Sequence, residues 1–269
     1  MNPKPEILIF PITKRMPFSN LYKAQLKKNR AGQKSFAVLL DPDNLPEEDC
    51  PEIIRLCNRH HVDYLFVGGS LVTKNQQSAL IRQIKQRTDI PVLLFPSSSL
   101  HIDAQADGIL LLSLISGRNP ELLIGQHVIA APLLQASQLT ILPTGYILVE
   151  SGRQTTASYM SGTTPLPHDK PAIAASTALA GTLLGLQWIY LDGGSGALNP
   201  VSPEMIAAVR KTIQVPLIVG GGINTVQKAS AALAAGADII VVGNHIEKAP
   251  HFIGEIAQVV REFNKISIK

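Results

Sequence analysis

Residues 216–244 read PLIVGGGINTVQKASAALAAGADIIVVGN. Two apolar runs, 216–220 and 238–242, flank a segment over 224–235 with helical spacing. Neither run alternates apolar with polar residues, so each is expected to be a strand buried on both faces, as in a parallel sheet covered by helices. Both runs end in glycine, at Gly220-Gly221-Gly222 and at Gly243-Asn244.

Six further runs of the same kind precede this unit: FAVLL (36–40), DYLFV (63–67), PVLLF (91–95), GILLL (108–112), GYILV (145–149) and WIYLD (188–192). The segments between them carry helix signals. Pro51 follows Asp49-Cys50 and Pro171 follows Asp169-Lys170, as at helix starts, and 203–213 and 247–264 have helical periodicity. Eight buried strands with crossover helices predict an α/β fold, a single (β/α)8 TIM barrel forming one domain over residues 1–269. A doubly wound open sheet would carry a phosphate loop after its first strand, where DPDN stands instead.

Three segments depart from the repeat. The strand 3–4 connection, PSSSLHIDAQAD (96–107), is irregular, with little room for a full helix. ESGRQTTASYMSGTTPLPHDK (150–170) is a long polar loop leaving the end of strand five where barrel active sites lie; a mobile lid is the preferred expectation and a merely flexible loop the alternative. Residues 1–35 are expected to supply an N-terminal helix that flanks or plugs the barrel.

Composition narrows the function. Aromatics are only 5% of 269 residues and net charge is +4, with charged residues at 16%. The one basic run, Lys23 to Lys34, suits a solvated helix face, so no nucleic-acid partner is expected. Cys50 and Cys57 form neither a metal knuckle nor a disulfide framework, as in a reduced cytoplasmic protein. The apolar run in MNPKPEILIFPITKR is interrupted by Pro11 and lacks a basic stretch before it, which argues against a signal peptide. No stretch suits a transmembrane segment.

The glycine turns after strands seven and eight are the strongest chemical signal. Glycine lets backbone N–H groups approach an anion, and barrels frequently hold phosphate on these two loops. Glycine also simply makes tight turns, but the pair together favours phosphate. Neither 220–222 nor Gly194-Ser195-Gly196 completes a dinucleotide fingerprint. On the same rim, strand one runs into Asp41-Pro42-Asp43-Asn44 and strand two into Gly68-Gly69-Ser70, oxygen donors suited to Mg²⁺, although Asp-Pro-Asp is also ordinary turn chemistry. Strand six ends in YLDGGSGA (190–197), which adds Tyr190, Asp192 and Ser195.

FAVLLDPDN, DYLFVGGS, PTGYILVESG, PHDKPAIAA, YLDGGSGA, IVGGGI and VVGN, in this order over roughly residues 20–265, resemble the geranylgeranylglyceryl phosphate synthase family. That family includes the PcrB-type heptaprenylglyceryl phosphate synthases, and the extended middle section looks more like the archaeal-type branch. The resemblance implies Mg²⁺-dependent transfer of a prenyl group, geranylgeranyl first and heptaprenyl second, from prenyl diphosphate to sn-glycerol-1-phosphate. It implies Asp41 and Ser70 at the metal. It implies Tyr190, Leu191, Asp192, Gly193, Gly194, Ser195, Gly196, Gly221, Gly222, Gly243 and Asn244 around glycerol phosphate, with Asp192 and Tyr190 catalytic. It also implies a homo-oligomer, dimer or hexamer, and peripheral membrane contact for the lipid product. The strand-six acid is more often Glu in the family. Asp192 reaches one methylene less far, leaving open whether it takes a proton directly or through water. From the residues alone, an FMN-binding barrel oxidoreductase, a sugar-phosphate isomerase and a non-catalytic phosphate-binding barrel stay as alternatives.

Overall fold

The computed structural model describes residues 20–74, 76–98 and 101–266. The signal-peptide reading and most of the segment before the first strand fall outside the described residues. Eight parallel strands close in chain order: β1 (Ser35–Leu40), β2 (Tyr64–Gly68), β3 (Val92–Phe95), β4 (Gly108–Leu114), β5 (Thr140–Leu148), β6 (Trp188–Asp192), β7 (Leu217–Gly220) and β8 (Ile239–Val242). β8 pairs back onto β1, with Phe36 opposite Ile240. Every expected strand is present. β5 starts five residues earlier than 145, pairing Thr140 to Tyr146 along β4 despite Pro143. Pro143 faces outward.

Strand side chains divide between two cores. Phe66, Leu93, Leu142, Trp188, Tyr190 and Ile218 fill the barrel interior, while Leu65, Leu94, Ile147, Leu191 and Val219 pack outward under the helices. This double burial explains the unbroken apolar runs.

Helices α1 (Asn20–Arg30), α2 (Cys50–His60), α3 (Gln77–Lys85), α4 (Gln126–Ser137), α5 (Thr156–Ser161), α6 (Pro171–Leu183), α7 (Pro203–Thr212), α8 (Val226–Ala234), α9 (Asn244–Lys248) and α10 (Phe252–Ile266) complete the described residues. Proline in the first turn opens α2, α6 and α7, and Ser202 and Thr225 side chains cap α7 and α8. α1 closes the barrel at the strands' N-terminal end, where buried Gln25 accepts from Tyr64 Oη at 2.9 Å and Ser35 Oγ at 3.2 Å. On α1, Lys28 pairs with Asp63.

Two expectations are corrected. The single helix over 247–264 is two, α9 and α10, because Pro250 between them has no N–H to donate. The polar loop 150–170 contains α5, fixed by a reciprocal cap in which Thr155 and Ser158 exchange side chain-to-backbone hydrogen bonds. Leu166 then bridges to Val149. Between β3 and β4 the described residues contain no helix, and the two strands share only the pairs Leu93–Gly108 and Leu94–Ile109. The missing crossover helix leaves the outer face of β4 open to a groove. A π-helical turn, Glu121–Gly125, leads into α4 on its far side.

Candidate active site

β6 delivers Asp192 to the C-terminal rim, where the side chain is 6% exposed. The Tyr146 hydroxyl donates to its Oδ2 at 2.6 Å and the Gly194 N–H to its Oδ1 at 2.7 Å. Burial raises the Asp192 carboxyl above its usual range, and these two donors oppose that rise. Tyr190, from the same strand, points inward beneath the rim. Its ring meets Tyr146 edge-on at 5.5 Å and Phe95 at 5.6 Å. Burial, then the Asp192 charge, raises both tyrosines well above the ordinary phenol.

Asp192 and Tyr190 line a polar cavity of about 310 Å³, with Asp41, Ser70 and the turns after β6, β7 and β8. Gly194, Ser195, Gly196, Gly221, Gly222, Gly243 and Asn244 are all on its wall. The Asn244 amide donates to Ser195 Oγ at 3.1 Å, tying the β8 turn to the β6 turn. Two expected residues are not on the wall. Leu191 is fully buried in the outer core, because alternation along β6 turns it away from Tyr190 and Asp192. The Gly193 N–H is already bonded to the Gly220 carbonyl at 3.1 Å.

The glycines after β7 have a second cause besides an anion. Gly221 and Gly222 have φ of +76° and +71°. A Cβ at Gly221 would stand 2.6 Å from Asp192 Oδ1, and one at Gly222 2.8 Å from the Pro200 nitrogen. The close approach of the 192–200 loop therefore requires them too.

Across the cavity, Asp41 accepts the Asp43 N–H at 2.9 Å and the Asn44 amide at 2.8 Å. Its own N–H donates to Glu247 Oε1 at 3.2 Å. Burial raises both carboxyls; the Asp43 charge adds to the rise at Asp41 and the Asp41 charge to that at Glu247, while the hydrogen bonds each accepts oppose it. Asp43 faces elsewhere, accepting the N–H groups of Thr73 and Lys74 and so anchoring the loop after β2. Among the described residues no group of three or more His, Cys, Asp and Glu forms a metal cage. Asp41, Ser70 and Glu247 form an oxygen-rich wall that would leave most of an ion's coordination to ligand oxygens and water.

Sequence reasoning missed Tyr146, Arg153, Glu247 and Lys248. The last three bring charge to the polar cavity. Tyr146 had a usable signal, since it lies in a buried strand two residues before Leu148, on the barrel-facing register. Arg153 lies on the β5–α5 loop, and a Cβ on Gly196 would be 2.6 Å from its Nη2.

A second, largely apolar cavity of about 260 Å³ adjoins the first, sharing Gly69, Ser70 and Phe95. It occupies the gap left by the missing crossover helix. Ile109, Leu111 and Leu112 of β4 line it on one side, Ala130 and Leu134 of α4 on another, and Ala157 and Met160 of α5 also border it. A polar chamber thus adjoins an apolar groove.

Comparison with known proteins agrees with this layout. Residues 26–261 match the model of the PcrB family. The chain belongs to the PcrB family. It is 59% identical over 235 residues to the geranylgeranylglyceryl phosphate synthase of Spirosoma linguale, covering 87% of this chain and 94% of that one. It is 43% identical over 218 residues to the enzyme of that name from Thermococcus gammatolerans, covering 81% and 86%. The crystal structure of (S)-3-O-geranylgeranylglyceryl phosphate synthase from Thermoplasma acidophilum, in complex with substrate sn-glycerol-1-phosphate, superposes with a TM-score of 0.85 at 31% identity. It covers 91% of this chain and 99% of that one. Membership in the PcrB family removes the flavin, isomerase and non-catalytic alternatives.

Proposed function

We propose that this protein is a prenyltransferase that joins the C1 carbon of a prenyl diphosphate, geranylgeranyl by the names of its relatives, to the free primary hydroxyl of sn-glycerol-1-phosphate. The observation that carries this reading is the junction at Gly69, Ser70 and Phe95 between a polar cavity and an apolar groove. A lipid tail fits the groove, and two phosphorylated heads fit the chamber.

In this reading the phosphate of the acceptor lies against the turns at Gly194 to Gly196, Gly221, Gly222, Gly243 and Asn244. Asp192 receives the hydroxyl proton as the glycerol oxygen forms its bond to C1 and the bond from C1 to diphosphate oxygen breaks. Desolvation makes Asp192 a stronger base than an exposed carboxylate, and Tyr146 aims it. Tyr190 and Phe95 present aromatic faces beneath the reacting carbons, where positive charge develops.

Asp41 and Ser70, with Glu247 beside Asp41, fit Mg²⁺ through one or two carboxylates and a hydroxyl. Bound there, Mg²⁺ would neutralise the diphosphate leaving group. Arg153 and Lys248 bring positive charge to the same cavity. Cytoplasmic location and homo-oligomeric assembly belong to the same proposal. Among the described residues no helix is long and apolar enough to cross a membrane.

The test is mass spectrometry of products from geranylgeranyl diphosphate offered with sn-glycerol-1-phosphate or with its 3-phosphate enantiomer. A prenyl ether from the first alone is expected, because a site that grips both the phosphate and the hydroxyl end can read handedness. Equal products from both would reject the acceptor assignment.

A further inference from the structure

The glycines of the β6 turn do less for an anion than their spacing suggests. The Gly193 N–H donates to the Gly220 carbonyl and the Gly194 N–H to Asp192 Oδ1. Their small size serves a neighbour instead. A Cβ on Gly194 would stand 2.6 Å from Thr155 Oγ1, and one on Gly196 2.6 Å from Arg153 Nη2 and 3.7 Å from its Cζ. The turn is therefore a seat for residues 151–155, which leave β5 and lead into α5. Both ends of that segment are fixed. The carbonyl of buried Ser151 accepts the Asn199 N–H at 3.0 Å, and buried Thr155 caps α5. Arg153 stands between them, its guanidinium laid over Gly196 on the wall of the polar cavity. Among the described residues no protein group accepts a hydrogen bond from it.

The charges around the cavity say what that guanidinium is for. Among the described residues of the wall there are three carboxyl groups, on Asp41, Asp192 and Glu247, against the two cations Arg153 and Lys248. Lys248 follows Glu247 in the chain, and its charge acts on that carboxyl. A phosphate dianion arriving here meets repulsion unless Arg153 faces it.

We infer that Arg153 grips the phosphate of the acceptor as a two-pronged donor and that residue 196 is glycine to admit its guanidinium, a step that rests on the acceptor site proposed above. The position of the seat selects the acceptor over the donor. Ser195 is tied to Asn244 of the β8 turn, and Gly222 of the β7 turn packs on Asn199 and Pro200 of the same loop. Arg153 thus lies with the phosphate turns, while Asp41 and Ser70 stand across the cavity. A guanidinium presents parallel N–H groups that match two phosphate oxygens, which an ammonium cannot do. With the backbone fixed on both sides of Arg153, less ordering opposes binding.

The experiment is calorimetric titration of full-length wild type, Arg153→Ala and Arg153→Lys with sn-glycerol-1-phosphate and, separately, with geranylgeranyl diphosphate. Arg153 is exposed, so both variants should fold, and thermal melts verify this. Arg153→Ala is expected to weaken glycerol-1-phosphate by roughly tenfold to hundredfold, and geranylgeranyl diphosphate by less than about threefold. Arg153→Lys should recover only part of the loss. A Gly196→Ala variant reads the seat. Gly196 has φ of +75°, so alanine is strained in either background and a double-mutant cycle cancels that cost. Gly196→Ala should weaken glycerol-1-phosphate about tenfold in the wild type and much less in the Arg153→Ala background. Additive losses overturn the seat. Equal weakening of both ligands by Arg153→Ala, or of neither, overturns the grip. A loss confined to geranylgeranyl diphosphate also overturns it and puts Arg153 on the leaving group. A lysine variant equal to wild type overturns the two-pronged contact. If wild type binds no sn-glycerol-1-phosphate, the acceptor reading falls, and inorganic phosphate becomes the probe. Phosphate held by wild type and weakened by Arg153→Ala would still support an anion seat at Arg153, and phosphate held equally by both would overturn it.

Discussion

The Tyr146 hydroxyl stands 2.6 Å from Asp192 Oδ2, joining neighbouring strands β5 and β6 at the floor of the polar cavity. Asp192 is too buried to be an ordinary carboxylate, and Tyr146 is its one side-chain donor among the described residues. The pair turns a strand-end acid into an oriented base.

The first prediction follows from that contact. Asp192 must be ionised to accept a proton, so kcat/KM should fall as pH drops through its raised pKa. Tyr146→Phe removes a hydrogen bond that lowers that pKa. The acid limb should therefore move to higher pH, with a loss of about 1.5–3 kcal/mol in the ionised carboxylate's stabilisation. A pH profile of kcat/KM for both proteins checks it. An unmoved acid limb would mean that another group sets the profile.

The second prediction concerns the acidic wall. Asp41 is fixed by the Asp43 N–H and the Asn44 amide, which an asparagine at 41 can partly keep. Asp41→Asn should therefore fold normally while losing nearly all activity and its response to added Mg²⁺. Thermal melts and a Mg²⁺ titration of turnover separate these outcomes. Wild-type turnover that persists in EDTA would remove the metal from the proposal.

How far the sequence could be read depended on the kind of contact involved. All eight strands were legible because double-sided burial writes itself as unbroken apolar runs, as in FAVLL and WIYLD. The irregular 96–107 connection was legible too, from its length. Residues whose role depends on distant partners were not. Tyr146 is one apolar-looking position in a strand until β6 brings Asp192 beside it. Glu247 meets Asp41 across 206 residues. α5 was hidden because its six residues carry no apolar period and are held by the Thr155–Ser158 cap. Leu191 was carried along with its motif, although alternation turns it away from the cavity.

The third prediction is one of stability at the opposite end of the barrel. Asp238 accepts Arg210 Nη1 at 2.6 Å, the Leu217 N–H at 2.8 Å and the Asn29 amide at 3.0 Å. It joins β8, β7, α7 and the α1 plug, and it is buried. Asp238→Ala removes the carboxylate partner of Arg210, which keeps only the Ile213 and Val215 carbonyls, and leaves the buried Leu217 N–H without its acceptor. A loss of about 3–5 kcal/mol is expected in urea unfolding, with kcat unchanged at low temperature because the rim is remote. A loss under about 0.5 kcal/mol would mean the network contributes no more than a surface pair.

The last prediction separates two reasons for glycine after β7. If the anion alone required these residues, alanine at 221 and at 222 would both weaken glycerol phosphate binding and leave the chemical step alone. The geometry distinguishes them. A Cβ at Gly221 points at Asp192 Oδ1 and the Gly193 and Gly194 nitrogens, whereas one at Gly222 meets the backbone of Asn199 and Pro200. Both positions carry positive φ, so each alanine costs about 1 kcal/mol of backbone strain. Gly221→Ala should also push the base off its donors, lowering kcat by roughly tenfold to a hundredfold for about 1.5–3 kcal/mol of lost alignment. Gly222→Ala should instead shift the 199–200 loop, lowering the melting temperature and raising KM for glycerol phosphate with a smaller effect on kcat. Steady-state kinetics beside thermal melts on both variants decide it. Equal kcat losses at the two positions would show that Asp192 does not depend on the space Gly221 leaves.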